Sequence, residues 1–587
     1  MKTNIFLKTV AGIVCFSAVA SGMTSCGDDY LDIAPVTSYT VQDVGSSIEG
    51  ARAAKVGLLQ GMYRQLSSDL LKYSGANGEP FMATFYGDIF GDNFISNLRC
   101  GHSTSMTTVN WTNLRDYQTY ASYEMWAYCY SLIKWANMIL TTIDDLDSYN
   151  GERDFIKANA LSVRAHMYTR LLQCYAPNWE NSNEGNVKCV VLRLPDSEND
   201  IPFSTMNEVL DLIYSDFQEA ISLFDSCGWS RQYIWEVNGN VARGLFARAA
   251  SIKHDYQLAQ QMAHEAWQGY KIMSADQYCA GFIRANDEYM WATMWEEPAA
   301  SIYYYSHGTY NACNGRYQNT WGYAINAIDY TFYKKFPLTD CRKRLYLTPE
   351  MLTFNQELAD KYGATPEDFF DESKIYTNGI RIQVNSNNTA MSKFVRMYGI
   401  EEYNRLNAIV PFGDGTVTAY CNASAEIIFG AQFKFWGNQI YGINQFPYMR
   451  ASEMGYLEAE MAWRNGDEAL ARQLLIALNK DVRDPQFECT KSGEELLQTI
   501  KDYREFELWG EGFNWYDLKR WHDPIVRIPW EAGNPDSGNR GEFFNQNYGP
   551  DDFYGWVVAV PRGEYLYNSA VNQAELPGGV TDPEGFE

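Results

Sequence analysis

Apolar positions recur at three- and four-residue intervals through the first half of the chain, which predicts amphipathic helices. The first covers 48–73, with Leu58, Leu59, Met62, Tyr63 and Leu66 on its stripe. A long one covers 116–146 and a third 151–175, where Ala158, Leu161, Ala165, Tyr168, Leu172 and Tyr175 turn one stripe toward a partner helix. A fourth covers 205–225. Residues 240–268 predict two helices, marked by Ala242, Leu245, Ala249 and Ile252 and then by Ala259, Ala263 and Trp267, with His254, Asp255 and Tyr256 at the elbow. A second elbow, Arg464 to Asp467, separates helices at 450–464 and 467–482. Small alanines on facing positions let paired helices approach closely, and stacked pairs bury a shared core. Between 271 and 446 the helical period is lost, and Gly, Asn and Tyr dominate. Short strand-like runs at 425–429 and 433–436 predict loops and small sheets laid over the helices. Irregular regions this long are more often functional than idle. The period returns at Leu496, Leu497, Ile500, Tyr503 and Phe506, and after residue 523 the tail is rich in Gly, Pro and Asn.

The helix at 496–506 runs into YREFELWGEGFNWYDLKRW (503–521), where Gly510 and Gly512 break it and Trp509, Phe513, Trp515, Tyr516 and Trp521 crowd both sides. Arg504, Glu507, Glu511, Asp517 and Arg520 sit among those rings. Charges in so apolar a setting are tolerable only when they pair with one another or with backbone ends. The block therefore reads as a structural clamp. At the other end, Lys2 and Lys8 flank an apolar run whose core, 9–20, is too short to span a bilayer and reads as a secretory signal. Two cleavage points compete, one after Ala18 to Ala20 and one before Cys26 in Met23-Thr24-Ser25-Cys26. Residues 27–44 are polar and acidic, contain Pro35, and could reach roughly 60 Å fully extended as a tether.

The block at 503–521 resembles the C-terminal signature of the SusD/RagB family, the nutrient-binding outer-membrane lipoproteins of Gram-negative bacteria. DDYLDIAP (28–35), LSVRAHMYTRLLQCYAP (161–177) and VVAVP (557–561) with Arg562, Gly563 and Glu564 resemble further family motifs. The resemblance implies a mostly α, SusD-like fold, with tetratricopeptide-like helical hairpins overlaid by irregular loops and small β elements. It implies a signal peptide at 1–25, a lipid-anchored tether at 26–44 and a single domain at 45–587. Within that domain the helical scaffold would be 45–270 and 447–522, the ligand side 271–446 and the tail 523–587. Asp28, Asp29 and Asp32 resemble the surface-export signal of these lipoproteins, which makes Cys26 the lipid attachment site and the cell surface of the outer membrane the location. The implied function is capture of oligosaccharides and delivery to a SusC-like TonB-dependent transporter, with this chain as its lid. Capture of peptides, as in RagB, is the alternative, and a surface glycoside hydrolase the third reading.

The formal net charge is −26, and loss of residues 1–25, which carry two lysines and no acid, takes it to −28. That balance excludes nucleic acid as a natural partner and disfavours strongly anionic polysaccharides. Beyond Cys15 and Cys26, ten scattered cysteines form no Cys-x-x-Cys pair and no metal grouping with histidine, so no metal or cofactor is expected. An oxidising location permits a disulfide such as Cys174–Cys189, with buried free thiols the other option. No metalloprotease, nucleophile-elbow or phosphate-loop signature occurs. Asp145 and Asp147 begin a calcium-like loop, yet Tyr149 and Asn150 occupy positions that need an oxygen ligand and a glycine. The chain does not read as a catalyst.

The richest candidate chemistry is 301–323, SIYYYSHGTYNACNGRYQNTWGY, where Tyr304, Tyr310, Trp321 and Tyr323 alternate with amides and Arg316. Aromatic faces suit the apolar C–H face of a sugar, and neighbouring amide and guanidinium donors suit its hydroxyls. These tyrosines could equally pack the layer over the helices. The second candidate is the loop at 81–111, where Asp92, Asn93 and Arg99 supply polar groups and Trp111 a ring. By resemblance, loops in both regions contribute to the family's ligand surface.

Overall fold

The computed structural model describes residues 44–63, 78–95, 116–147, 150–195, 197, 199–282, 284–294, 327–346, 375–376, 379–383, 426–428, 432, 434–435 and 445–529, together with 531, 534, 536, 538, 546–572 and 575 of the tail. Ten longer helices carry the architecture: α1 Ile48–Tyr63, α2 Tyr120–Thr142, α3 Glu152–Tyr175, α4 Met206–Ser226, α5 Gly239–Ile252, α6 Tyr256–Ala266, α7 Ala451–Arg464, α8 Glu468–Asn479, α9 Gly493–Glu507 and α10 Asn514–Trp521. Every helix that the apolar period predicts is present. Of the first, residues 64–73 lie outside the described residues.

From α2 to α8 each helix packs on the next, as in a solenoid whose units bury their apolar faces only against neighbours. The stack continues from α6 directly onto α7, although the chain between them runs through 267–450. The irregular region is thus an insertion into a continuous helical stack. The two elbows share one construction. A residue with left-handed backbone, His254 (φ 60°) or Gly466 (φ 88°), ends the first helix of the pair. An aspartate then caps the second, Asp255 accepting from the Leu258 N–H and Asp467 from the Leu470 N–H. Elsewhere Thr205 and Glu208 form a reciprocal capping box at the start of α4.

The described strands are short: β1 Phe94–Ile95, β2 Lys188–Val190, β3 Ser204–Thr205, β4 Tyr289–Ala292, β5 Ala327–Ile328, β6 Ile375–Tyr376, β7 Gly379–Gln383, β8 Glu426–Ile428 and β9 Pro447–Arg450. All pairings are antiparallel: β1 with β5, β2 with β3, β4 with β9, and β7 with both β6 and β8. The β4–β9 ladder closes the base of the insertion, where the Thr293 N–H donates to the Phe446 carbonyl at 2.9 Å.

Two local expectations change. The segment expected as a loop from residue 81 is helical at Glu79–Met82 and continues as a π-turn over Ala83–Asp88. All six residues of that turn are buried, so no polar face marks its period. The expected strand at 433–436 is not formed by its described residues, because Lys434 turns inward to charged and carbonyl partners. The cysteines among the described residues are free. Cys174 lies 3.6 Å from the Tyr516 hydroxyl, and Cys189 donates to the Ser204 carbonyl at 3.7 Å, so these two have separate partners.

Candidate functional site at the root of two loops

One candidate segment leaves the described structure at Ile95, and the other re-enters it at Ala327. Those two residues are register partners in the β1–β5 ladder. The fold thereby joins the roots of two segments that lie more than 200 residues apart in sequence.

The short stretch before β1 is held from three sides. Asn514, at the start of α10, accepts the N–H groups of Asp92 (2.7 Å) and Asn93 (3.3 Å) on its side-chain oxygen. Arg527, from the tail, donates to the carbonyls of Phe90 (2.6 Å) and Gly91 (2.8 and 2.9 Å). The Asn93 carbonyl accepts from Trp509 Nε1 at 3.0 Å and from the Asp329 N–H at 2.8 Å. Phe94 stacks on Trp509, with ring centroids 4.9 Å apart at 25°. The backbone of Asp92 and Asn93 is therefore rigid. Their side chains differ. The Asp92 carboxylate accepts the Val526 N–H at 3.1 Å. The Asn93 amide is 2 % exposed, and neither its oxygen nor its nitrogen has a hydrogen-bond partner. Buried amides without partners cost about 1–3 kcal/mol and are rare.

Acidic groups surround this root. Burial, and then the nearby Asp92 charge, push the Glu505 carboxyl well above the usual range. Asn514 Nδ2 donates to Glu505 at 2.6 Å. Asp88 is raised well above the usual range by burial, although both its oxygens accept the Gly512 N–H at 3.0 Å.

Beneath the ladder lies the aromatic-and-charge block. Gly510 (φ 75°) and Gly512 (φ 89°) occupy the left-handed region. A Cβ on Gly512 would stand 2.4 Å from Ala83 Cβ, and one on Gly87 2.1 Å from the Gly512 carbonyl oxygen, so the π-turn and the clamp touch backbone to backbone. Arg504, Glu507, Glu511, Asp517 and Arg520 are all paired, and Lys519 donates to the carbonyls of Gln173, Ala176 and Trp556. Arg504 and Arg520 both bind Asp517, at 2.8 Å each, and Arg520 reaches Glu460 at 2.7 Å. Glu507 accepts from Arg342, Arg450 and Arg483 at 2.8 to 3.0 Å. Glu511 binds Arg450 (2.7 Å) and Lys434 (2.6 Å), while Glu288 pairs with Arg450 and Arg483. Burial draws the Lys434 ammonium down to about 8 against the pull of Glu511.

Of the sequence candidates, Asp92 and Asn93 are thus beside the clamp. Arg99, Trp111, Tyr304, Tyr310, Arg316, Trp321 and Tyr323, like Cys26, lie outside the described residues. Sequence reasoning missed Asn514, Glu505, Arg527 and the β5 end at Asp329, which hold or surround the root. It also missed Glu288, Arg342, Lys434, Arg450 and Arg483. A usable signal existed for one: Lys434 between Phe433 and Phe435 is a lone charge among bulky apolar neighbours. Among the described residues no group of side chains is arranged to hold a metal ion, and no helix is long and apolar enough to cross a membrane.

Two family models match the chain. One, described as starch-binding and associating with the outer membrane, matches residues 63–249, and the model of the SusD family matches 253–575. The chain belongs to the SusD family. Solved structures share its fold over about nine tenths of the chain. A SusD-like carbohydrate-binding protein from Bacteroides vulgatus is similar at a TM-score of 0.67 and 19 % identity, covering 90 % of this chain and 98 % of its own. A SusD superfamily protein from Bacteroides thetaiotaomicron gives 0.62 at 17 %, covering 90 % and 99 %. A SusD-like carbohydrate-binding protein from Bacteroides fragilis gives 0.56 at 13 %, covering 91 % and 100 %. No curated protein matches. At these identities the likeness establishes the mostly α SusD fold, and residue roles rest on this chain's own geometry.

Proposed function

We propose that the protein is a cell-surface glycan-binding lipoprotein, anchored in the outer membrane through Cys26, that captures oligosaccharides. It passes them to a SusC-like TonB-dependent transporter and acts as that transporter's lid. The observation that carries this reading is the match of the starch-binding and SusD family models over 63–249 and 253–575. The carbohydrate-binding description of two proteins with the same fold supports it.

The site we assign is built on the β1–β5 ladder, from Asp92, Asn93, Arg99 and Trp111 of one segment and Tyr304, Tyr310, Arg316, Trp321 and Tyr323 of the other. Support for a common site comes from the pairing of Ile95 with Ala327, which roots both segments at one place. The unpaired Asn93 amide supplies a donor and an acceptor at that root, the combination a sugar hydroxyl satisfies. The function is binding, without a catalytic step.

Isothermal titration against neutral plant, fungal and bacterial oligosaccharides tests the proposal. At least one glycan should bind, and Trp321→Ala should weaken it about tenfold, the loss of a stacking contact worth on the order of 1–2 kcal/mol, with circular dichroism unchanged. Binding of peptides alone transfers the protein to the RagB reading. Product formation during titration assigns it to the hydrolases. Unchanged affinity in the variant removes Trp321 from the site and leaves Trp111 as the ring to test.

A further inference from the structure

Cys279 ends a short helix, Ala275–Cys279, and Cys341 begins a 3-10 turn, Cys341–Leu345. The two elements pack together, and the Cys279 thiol lies 3.4 Å from the Cys341 carbonyl oxygen. Both residues are buried, at 7 % and 3 % exposure, and each is pinned by backbone from elsewhere. Tyr278 donates its hydroxyl to the Glu507 carbonyl at 2.8 Å, and the Cys341 N–H donates to the Arg483 carbonyl at 2.8 Å. The two thiols also interact side chain to side chain, which pulls Cys341 below the usual thiol range and pushes Cys279 above it. Among the described cysteines no other hydrogen-bonds to a second cysteine: Cys129 faces the Met125 sulfur at 3.6 Å, although burial and then the nearby Cys174 push its thiol up. Cys174 faces Tyr516, Cys189 faces Ser204, and Cys227 faces the carbonyls of Phe224 and Trp229.

We propose that Cys279 and Cys341 are joined by a disulfide in the exported protein. The bond would form during folding in the cell envelope, by exchange with the disulfide of a thiol–disulfide oxidoreductase. The Cys341 thiolate attacks one sulfur of that disulfide, forming a mixed disulfide and releasing one oxidoreductase thiolate. Cys279 gives up its proton and attacks the Cys341 sulfur, releasing the second. Two cysteine thiols are oxidised, one disulfide is reduced to a dithiol, and the two protons end on the leaving thiolates. The cross-link closes the loop 280–340, which contains the whole tyrosine-rich segment 301–323 and β5. It would hold the base of that loop closed whether or not ligand is present. This inference stands independently of the glycan reading.

The test uses full-length protein recovered from the envelope of cells that export it, denatured and alkylated with iodoacetamide without reductant. Peptide mapping should find Cys279 and Cys341 unalkylated and linked, the linked peptide gaining two hydrogens on reduction. In Cys341→Ser, Cys279 should become alkylated. Alkylation of both cysteines in the wild type, or linkage of either to another cysteine, overturns the proposal. A second readout uses folded protein. Reductant should lower the melting temperature of the wild type and leave Cys279→Ser/Cys341→Ser unmoved. An equal response of the two overturns it as well.

Discussion

Glu507→Gln keeps the shape of the side chain and removes one buried charge, which makes it the sharpest probe of the clamp. Oε1 accepts from Arg450 Nη1 (3.0 Å) and Arg483 Nη2 (2.8 Å), and Oε2 accepts from Arg342 Nη1 (2.9 Å) and Arg483 Nε (2.9 Å). All four side chains are buried. The surrounding network sets Arg342, Arg450, Arg483 and Lys434 against Asp340, Glu288, Glu507 and Glu511, so it is neutral as built. Glutamine leaves four cations facing three anions, and its amide N–H₂ points at guanidinium donors with nothing to accept. Removing one partner from a buried ionic cluster costs about 3–5 kcal/mol. At a urea slope of about 3 kcal/mol/M, the unfolding midpoint should fall by roughly 1 M or more, followed by tryptophan fluorescence. Glu495→Gln is the control. It breaks only an exposed pair with Lys491, worth under about 1 kcal/mol. Glu507→Gln/Arg483→Met restores the charge balance and should recover part of the loss, a coupling that a double-mutant cycle reads directly. Equal midpoints for Glu507→Gln and Glu495→Gln would refute the reasoning.

Gly512→Val should lower stability by at least about 1–3 kcal/mol, since the new Cβ meets Ala83 and the backbone has φ 89°; retained stability with lost glycan binding would move the block from scaffold to site. Acid should unfold the protein in a defined window. Burial raises Glu79, Glu460 and Glu507, but Arg170, Arg520 and Arg483 outweigh it and hold all three below the ordinary value. The unfolded chain therefore takes up protons first, and the urea midpoint should drop as pH falls below about 4.3, where unfolded glutamates titrate; a midpoint flat from pH 5 to 3 contradicts this. Cys26→Ala should abolish labelling by fatty acid and release the protein into the soluble fraction, so equal membrane retention of variant and wild type rejects the anchor.

The helical stack was legible because solenoid helices bury one stripe and leave the other wet. That asymmetry writes a three-four period into α4 through Met206, Val209, Leu210, Ile213 and Phe217. By contrast, α3 is buried almost all round and shows its stripe only through the small and apolar side chains Ala158, Leu161 and Ala165. Elbow chemistry was legible too, since an aspartate cap must follow directly on the turn. The π-turn at 83–88 was not, because a segment buried on every side carries no period. Asp92 and Asn93 were named for their polarity, but their surroundings were out of reach. Asn514, Val526 and Asp329 meet them from 200 to more than 400 residues away, and no local pattern encodes such meetings. Asn93 also illustrates a limit of residue type, since nothing in Gly91-Asp92-Asn93-Phe94 distinguishes an amide left unpaired from one that caps a turn.

The clamp poses a harder question, namely why a core should hold eight ions where apolar side chains would pack as well. Buried ion pairs add little net stability against a hydrophobic replacement, because desolvation consumes most of the attraction. Their leverage lies in what a wrong arrangement costs. Glu288 comes from β4, Asp340 and Arg342 from the turn that holds Cys341, Lys434 from the far side of the insertion, Arg450 from β9, Arg483 from beyond α8, and Glu507 and Glu511 from the clamp. Apolar side chains at those places could slide past one another at small cost. A charge that misses its partner in a dry core loses several kcal/mol. The network therefore accepts one registration of the insertion on the helical stack and penalises the others. That registration seats β5 against β1, and with it the roots of both candidate ligand segments.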